Sequence, residues 1–374
     1  MKPVITGVIG AGAISDAYLV NLTGRFTPWI KVKSIAANHL ENSQRKAQEY
    51  GLQACTTDEM MNDPEIEMII NLTPLEAHEE LIRDALNHGK HVYTEKTIAE
   101  GYTQAEELSR LAAEKNLYLG CAPDTFLGSS IQCAKKAIQE GMLGEVNSFS
   151  IAVNRNNDIL TSMFPFLRRK GAGILRDYVV YYLTTIAVLL GPFAQTAAMI
   201  KAPYQKRICI LPQSPEYGKE IDTPNESIAS VLLKLDNGIT GALHDDSESY
   251  IHDRADFVIY GTKGILLLGD PNYFGDPVRF LPAIPQDFSK KPEPVILEQV
   301  NEYTENCRGL GAAEMAYAIR RNTGHRASAE LACHILETIE AIEQSAAEER
   351  FIQIHTRPEL PEFFTGIEQE VHGV

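Results

Sequence analysis

Two hydrophobic rhythms divide this chain. As far as Cys121, short continuous apolar runs alternate with longer stretches of helical period; beyond it, apolar and polar residues alternate one by one. The first rhythm predicts a strand from about Pro3 into Gly10 and a helix from Ala13 to Asn21. A second strand, Lys31 to Asn38, leads to a helix from Ser43 to Tyr50. A third strand, Glu67 to Leu72, is broken by Thr73-Pro74 and followed by a helix from Glu76 to His88 that Gly89 ends. Then come a strand at Lys90 to Thr94, a helix at Thr103 to Lys115 and a strand at Leu117 to Cys121. Strands apolar along their whole length, each followed by a helix, belong to a doubly wound parallel sheet buried on both faces.

The second rhythm begins after a junction, Pro123 to Gly128, and a crossover helix, Ser129 to Glu140. Period-two strands are expected at Val146 to Val153, Ser227 to Leu235, Ile239 to His244, Asp256 to Tyr260 and Ile265 to Leu268, with a hairpin turn at Tyr260 to Gly264. These give an α+β domain with an open, mainly antiparallel sheet and helices on one face. The expected domains are 1–122 and 123–374. No internal repeat or low-complexity segment is visible. A helix from Gly173 to Leu190 is apolar almost all round, and Glu314 to Arg321 and His325 to Glu337 read as amphipathic helices. His355 to Val374, with Pro358 and Pro361, reads as an extended arm.

At 374 residues, with 44% hydrophobic and 22% charged residues, the composition is that of an ordinary globular chain. Its net charge of −16 argues against nucleic acid and anionic membrane surfaces as partners. The stretch from Tyr178 to Ala194 falls short of the ~20 residues a membrane span requires and carries Thr184, Thr185 and a Gly-Pro break. Six scattered cysteines without a CxxC pair predict reduced thiols, and a first strand at about Pro3 leaves no room for a cleaved leader, so a cytoplasmic protein is expected.

The candidate chemistry gathers where the first-half strands end. Gly10 suits a tight strand-to-helix turn, Gly12 lets the backbone approach a pyrophosphate, and Ala13 and Ile14 open a helix whose free amides favour an anion. Ser15 stands in place of the third glycine of the dinucleotide fingerprint. The second strand ends in Ala37-Asn38 rather than the acid that commonly holds a ribose. NAD and NADP therefore both remain open, with Asn38, His39, Arg45 and Lys46 available to a 2′-phosphate. Arg45 and Lys46 are equally well read as the solvated face of their helix. Thr73, Pro74, Glu95 and Lys96 fall on the same carboxyl edge of the sheet. His88 and His91 are separated by Gly89 and have no cysteine or carboxylate cluster beside them, so no metal is expected.

Gly10-Ala-Gly12, Thr73-Pro74-Leu-Glu-Ala-His78 and Gly89-Lys-His-Val-Tyr-Thr-Glu95-Lys96 resemble the Gfo/Idh/MocA family of glucose–fructose oxidoreductase and inositol dehydrogenase. The resemblance covers about residues 4 to 350. It implies a nicotinamide cofactor held by Gly10, Gly12, Ala13, Ile14, Asn38, Thr73, Pro74, His78, Glu95 and Lys96, with Lys96 beside the reacting carbon. Thr97 replaces the family's usual proline, which implies a looser loop. Asp124 and Phe126 stand at the junction where family members contact ligand. A homodimer or homotetramer is also implied.

Gly171-Ala-Gly173-Ile-Leu175-Arg-Asp177 is similar to the first half of the family's active-site helix. Tyr181 stands where a histidine is usual, and Thr184 where a second Asp is usual. Asp177, Tyr181 and Thr184 share one helix face. Asp177 is otherwise an N-terminal acid favoured by the helix dipole, with Tyr181 in the core. A free phenol, with a pKa of about 10, is a weak base at neutral pH unless a cation favours its ionised form. The expected reaction is hydride transfer between nicotinamide and a hydroxyl-bearing carbon of a sugar, glycoside or cyclitol. Tyr181 is the expected acid/base, Lys96 its electrostatic partner and Asp177 the orienting group. Arg155, within the polar run Asn154 to Asp158, is a further candidate for the substrate, as are His252 and Arg254 for the pocket. The altered Thr97, Tyr181 and Thr184 keep a second reading open, a non-catalytic nucleotide or sugar sensor, and a glycosidase that uses bound NAD is a third.

Overall fold

The computed structural model describes residues 1–250, 254–283, 289 and 292–367. The chain forms two compact units. The first holds Met1–Gly128, Asn301–Leu336 and Pro361–Val374, and the second holds Ser129–Val300 and Glu337–Leu360. This division differs from 1–122 and 123–374 because the chain returns to its first unit late, which reading in chain order does not reveal.

In the first unit β1 (Val4–Ile9), α1 (Ala13–Leu22), β2 (Ile30–Ala36), α2 (Leu40–Tyr50), β3 (Gln53–Ala54), α3 (Thr57–Asn62) and β4 (Met68–Asn71) follow one another. Then come α4 (His78–Asn87), β5 (His91–Thr94), α5 (Tyr102–Glu114) and β6 (Leu119–Cys121). The six strands lie parallel in the order β3-β2-β1-β4-β5-β6, a doubly wound sheet. β4 is buried at every residue, which is why its sequence is apolar throughout. Ile69, Ile82, Leu86, Val92, Leu108 and Leu336 meet in one core cluster beneath the sheet. The turn that places β1 depends on Gly10. Its φ is +114°, and a Cβ there would lie 2.6 Å from the backbone carbonyl of Leu72.

The second unit holds α6 (Ser129–Gln139), β7 (Val146–Asn154), α7 (Asn157–Met163), α8 (Val180–Leu190), β8 (Phe193–Lys201), β9 (Lys206–Ile208) and β10 (Glu220–Asp222). It continues with β11 (Ile228–Leu235), β12 (Thr240–Asp246), β13 (Arg254–Gly261), β14 (Gly264–Leu268), β15 (Arg279–Pro282) and β16 (Val295–Ile296). Late in the chain, α9 (Leu310–Arg321) belongs to the first unit. α10 (Ala329–Glu348) starts in the first and ends in the second, and β17 (Ile352–Gln353) closes the second. Nine strands form one sheet in the order β16-β15-β14-β13-β7-β12-β11-β8-β17, antiparallel except for β7 beside β12. In β11 Val231 and Leu233 face the core while Ser230, Leu232 and Lys234 face out, as period-two alternation requires.

The expected long helix is interrupted. Leu175–Val179 is a single π-helical turn, and only then does the fully buried α8 begin. Such turns insert one residue into the helical ladder and are frequent at functional sites. None of the helices among the described residues is long and apolar enough to cross a membrane. From His355 to Gly366 the arm forms neither helix nor strand, and Phe364 within it is buried and stacked on Tyr303.

Candidate functional site

At the carboxyl edge of the first sheet, Gly12 caps α1 without a side-chain bond, and a Cβ there would meet nothing within 4 Å. The space beside Gly12, at the start of the helix, is thus open to an anion, which the amides of a helix's first turn favour. Ser15 is fully buried and donates its hydroxyl to Gly12 O at 2.7 Å, so it closes the turn as a third glycine would, by packing. Asn38 and His39 lie exposed just beyond β2.

Lys46 does not belong to a solvated face. It is 3% exposed and ion-paired with Asp16, with Glu49 at 3.4 Å. Of the cations considered for a 2′-phosphate, this one already has carboxylate partners. The helical period shows only that positions 45 and 46 differ in direction, not that an acid on α1 reaches across.

The β4 and β5 exits are knitted together. Asn71 Oδ1 accepts from Thr73 N and Oγ1, at 3.2 and 2.7 Å, while Asn71 Nδ2 donates to Thr94 Oγ1. Glu95 N donates to Asn71 O, and the buried Glu95 carboxylate accepts from Tyr18 of α1 at 2.6 Å. Burial, then the negative charge of Glu95, holds the Tyr18 phenol well above its usual range, so it stays a donor.

Thr97 is buried and donates to Ala99 O, and the Lys96–Thr97 peptide is cis. His78 sits with Nδ1 2.7 Å from Thr97 O and Nε2 2.9 Å from Thr73 O, spanning the loops that follow β4 and β5. Burial lowers its pKa, opposed by those two carbonyls. Lys96 is half-buried, Thr73 is half-buried and Pro74 is exposed.

Asp124 is placed differently from a ligand-contacting residue. It is 2% exposed, and its Oδ2 accepts from Gly309 N and Gly311 N at 3.1 and 2.9 Å, at the start of α9. Burial pushes its carboxyl up to about 6. Phe126 is 1% exposed. Both are spent inside the first unit, a role visible only once α9 is known to pack there.

In the second unit a pocket is lined by Arg155, Asn157, Asp177, Tyr178, Glu226 and Ser247 among others. Arg155 follows β7 and lies 3.8 Å from the ring centroid of Tyr178, a close cation–π contact. Tyr178 donates to Asp270, and Tyr182 approaches Tyr178 at 3.5 Å. Asp245 is buried, accepts from Ser247 Oγ at 2.8 Å, and is pushed up to about 7 by that burial. Its Oδ2 and Arg155 Nε have no hydrogen-bond partner among the described residues.

Tyr181 is 8% exposed, its ring 6.5 Å from that of Tyr178, and Asp177 is half-buried. Thr184 donates to Val180 O at 2.8 Å, so its hydroxyl serves the helix itself. From the polar run, Asn156 caps α7 and Asp158 pairs with Arg207 at 2.7 Å, leaving Arg155 and Asn157 on the pocket. His252 lies outside the described residues, and Arg254 begins β13. Sequence reasoning missed Glu226, Asn225, Asp245 and Asp270, which come from loops and strand ends with no motif around them.

A doubly wound sheet with an open glycine turn, beside a second unit built on a large mixed sheet, is the architecture of a dinucleotide-binding protein. Residues 4–122 match the model of an oxidoreductase family with an NAD-binding Rossmann fold, and residues 131–267 match the GFO/IDH/MocA C-terminal domain. The chain belongs to the Gfo/Idh/MocA family.

It is similar to an uncharacterized oxidoreductase of Schizosaccharomyces pombe, 28% identical over 53% of this chain and 55% of that one. The match thus spans about half the length of that curated relative. It is also similar to scyllo-inositol 2-dehydrogenase (NADP(+)) of Bacillus subtilis, 25% identical over 79% of this chain and 81% of the other. Among solved structures, levoglucosan dehydrogenase in complex with NADH and levoglucosan shares the fold. Its TM-score is 0.80 at 19% identity, over 95% of this chain and 100% of that one.

Proposed function

We propose that the protein is an NAD(P)-dependent dehydrogenase that interconverts a secondary hydroxyl and a keto group on a sugar, glycoside or cyclitol. The observation that carries this reading is the first unit's edge. The open glycine turn, the knitted Asn71–Thr73–Thr94 exits and the Tyr18–Glu95 bond lie on the carboxyl edge where Lys96 follows β5, the edge at which a parallel sheet commonly takes its ligand, and this supports Lys96 as a site residue. Gly10, Gly12, Ala13, Ile14, Asn38, Thr73 and Pro74 would hold the dinucleotide, with His78 and Glu95 fixing the loops around it. When bound, the nicotinamide exchanges the hydride with the carbinol carbon.

The chain's own residues handle the proton and the pose. Tyr181 takes the hydroxyl proton, Lys96 supplies positive charge that favours its phenolate, and Asp177 with Arg155 orients neighbouring hydroxyls. The catalytic set is thus Lys96, Asp177 and Tyr181. Names of relatives that act on inositol or levoglucosan support the substrate class. Asp124 and Phe126 are assigned here to the packing of α9 rather than to substrate.

Copies of the chain are inferred to associate through the outward face of the nine-stranded sheet. There Met199, 80% exposed, and Leu232, 55% exposed, stand among small side chains such as Ala197 and Ala242. Six cysteines, none disulfide-bonded, fit the reducing cytoplasm as the compartment. The test is Lys96→Ala. Turnover is expected to vanish while nucleotide binding persists; normal turnover would overturn the assignment.

A further inference from the structure

A helix start leaves several amides without partners, and a Ser, Thr, Asp or Asn just before it commonly accepts from them. The start of the helix that carries Asp177 has no such residue. Gly171, Ala172 and Gly173 precede it, and no side chain of the turn caps it. The acceptors come instead from a loop before β11. Glu226 Oε1 accepts from Leu175 N at 3.2 Å, and Glu226 O accepts from Ile174 N at 3.4 Å, across 51 and 52 positions of sequence.

Asn225 adds a second tie. Its Oδ1 accepts from Gly171 N at 3.0 Å, and its Nδ2 donates to Leu167 O and Arg169 O at 2.9 and 2.7 Å. Gly173 is what admits the carboxylate, since a Cβ there would collide with both of its oxygens. Glu226 and Asp177 line the same pocket, and Asp177 N donates to Gly173 O at 2.9 Å within the turn that Glu226 pins.

We propose that Glu226 is a positioning residue for Asp177. From a distant loop its side chain caps the helix start that Gly173 leaves open, and so fixes Asp177 at the pocket wall. The inference rests on Asp177 belonging to the reacting set. It also explains why a π-turn, one residue out of step with α8, survives here: its first amides are held from outside the helix.

The test uses the full chain with Glu226→Ala, Glu226→Gln, Gly173→Ala and the Gly173→Ala/Glu226→Ala double variant. Asp177→Asn serves as reference. Steady-state kinetics on an oxidised substrate are read beside amide hydrogen exchange at Leu175. Misplacing an orienting group by about 1 Å costs on the order of 10²-fold, so Glu226→Ala is expected to lower kcat roughly 10- to 100-fold with KM changed less than about threefold. Glu226→Gln keeps the accepting oxygen and is expected to stay within about threefold of the parent.

Gly173→Ala is expected to reproduce the loss by expelling the carboxylate, and the double variant to be no worse than either single one, because both break one contact. Losses that multiply in the double variant, or full kcat in Glu226→Ala while Asp177→Asn is inactive, would overturn the proposal. If Asp177→Asn turns over normally, the reading of Asp177 has failed instead, and the exchange rate alone decides the cap: faster at Leu175 in Glu226→Ala supports it, unchanged refutes it. Should Glu226→Ala not fold, Glu226→Asp, one methylene too short to reach, takes its place with the same expected loss.

Discussion

Gly10 and Gly12 stand two residues apart in one turn, and alanine at each should fail in opposite ways. At Gly10 the backbone has φ +114°, and a Cβ would lie 2.6 Å from Leu72 C and O and 3.0 Å from Thr73 N. The left-handed strain costs about 1–2 kcal/mol and the overlap, against backbone that cannot swing aside, about 1–3 kcal/mol more. Gly10→Ala is therefore expected to lose roughly 2–5 kcal/mol of stability. At Gly12 φ is −80° and a Cβ meets nothing. Alanine there is a slightly poorer cap, worth at most about 1 kcal/mol, yet its methyl stands where a pyrophosphate must approach the amides. Gly12→Ala is expected to melt within a few degrees of the parent and to bind NAD and NADP at least tenfold more weakly. Thermal or denaturant melts paired with calorimetric titration of both nucleotides make the comparison. Parental nucleotide affinity in Gly12→Ala, or parental stability in Gly10→Ala, would refute the reasoning.

Two buried acids make pH predictions. Asp124 is raised from 3.8 to about 6, so its protonated form is the one folding favours. That stability is complete below about pH 4 and lost as pH rises through 6, by about 3 kcal/mol at 1.36 kcal/mol per unit. Asp124→Asn should thus gain on the parent across that window in melts taken at successive pH values; parallel curves would contradict it. Asp245, raised to about 7, makes the same prediction with the window extended to pH 7, and Asp245→Asn is its check. Leu232→Glu on the open sheet face should shift sedimentation toward the monomer if copies meet there, and an unchanged profile would send the interface elsewhere.

The first unit's strands are legible because β4 and its neighbours are buried on both faces, which leaves no room for polar interruptions. The glycine turn is legible for a related reason: only a residue without a Cβ fits at Gly10. The closing segment's allegiance is not legible. Arg320 of α9 clamps Glu67 through two bonds of 2.7 Å across 253 positions, and nothing local at either residue announces the other. The same holds for Glu226 at Leu175 and for Asp16 at Lys46: a charged side chain reads as surface until its distant partner is known. β8 was hidden because its small residues, Ala194, Ala197 and Ala198, blur the alternation. The π-turn leaves no mark because the helix that follows is buried on every side, so the rotation of side chains that one extra residue causes has no polar face to displace.

The measurement that bears most directly on the proposed chemistry is the nicotinamide absorbance of the purified protein. It would be supplied with NAD or NADP and challenged with sugars, glycosides and cyclitols, alongside Lys96→Ala and Tyr181→Phe. Reduction of one nucleotide by one substrate group, lost in both variants while nucleotide affinity is kept, is the predicted result. Nucleotide binding with no reduction by any of them, or reduction that survives both substitutions, would contradict it.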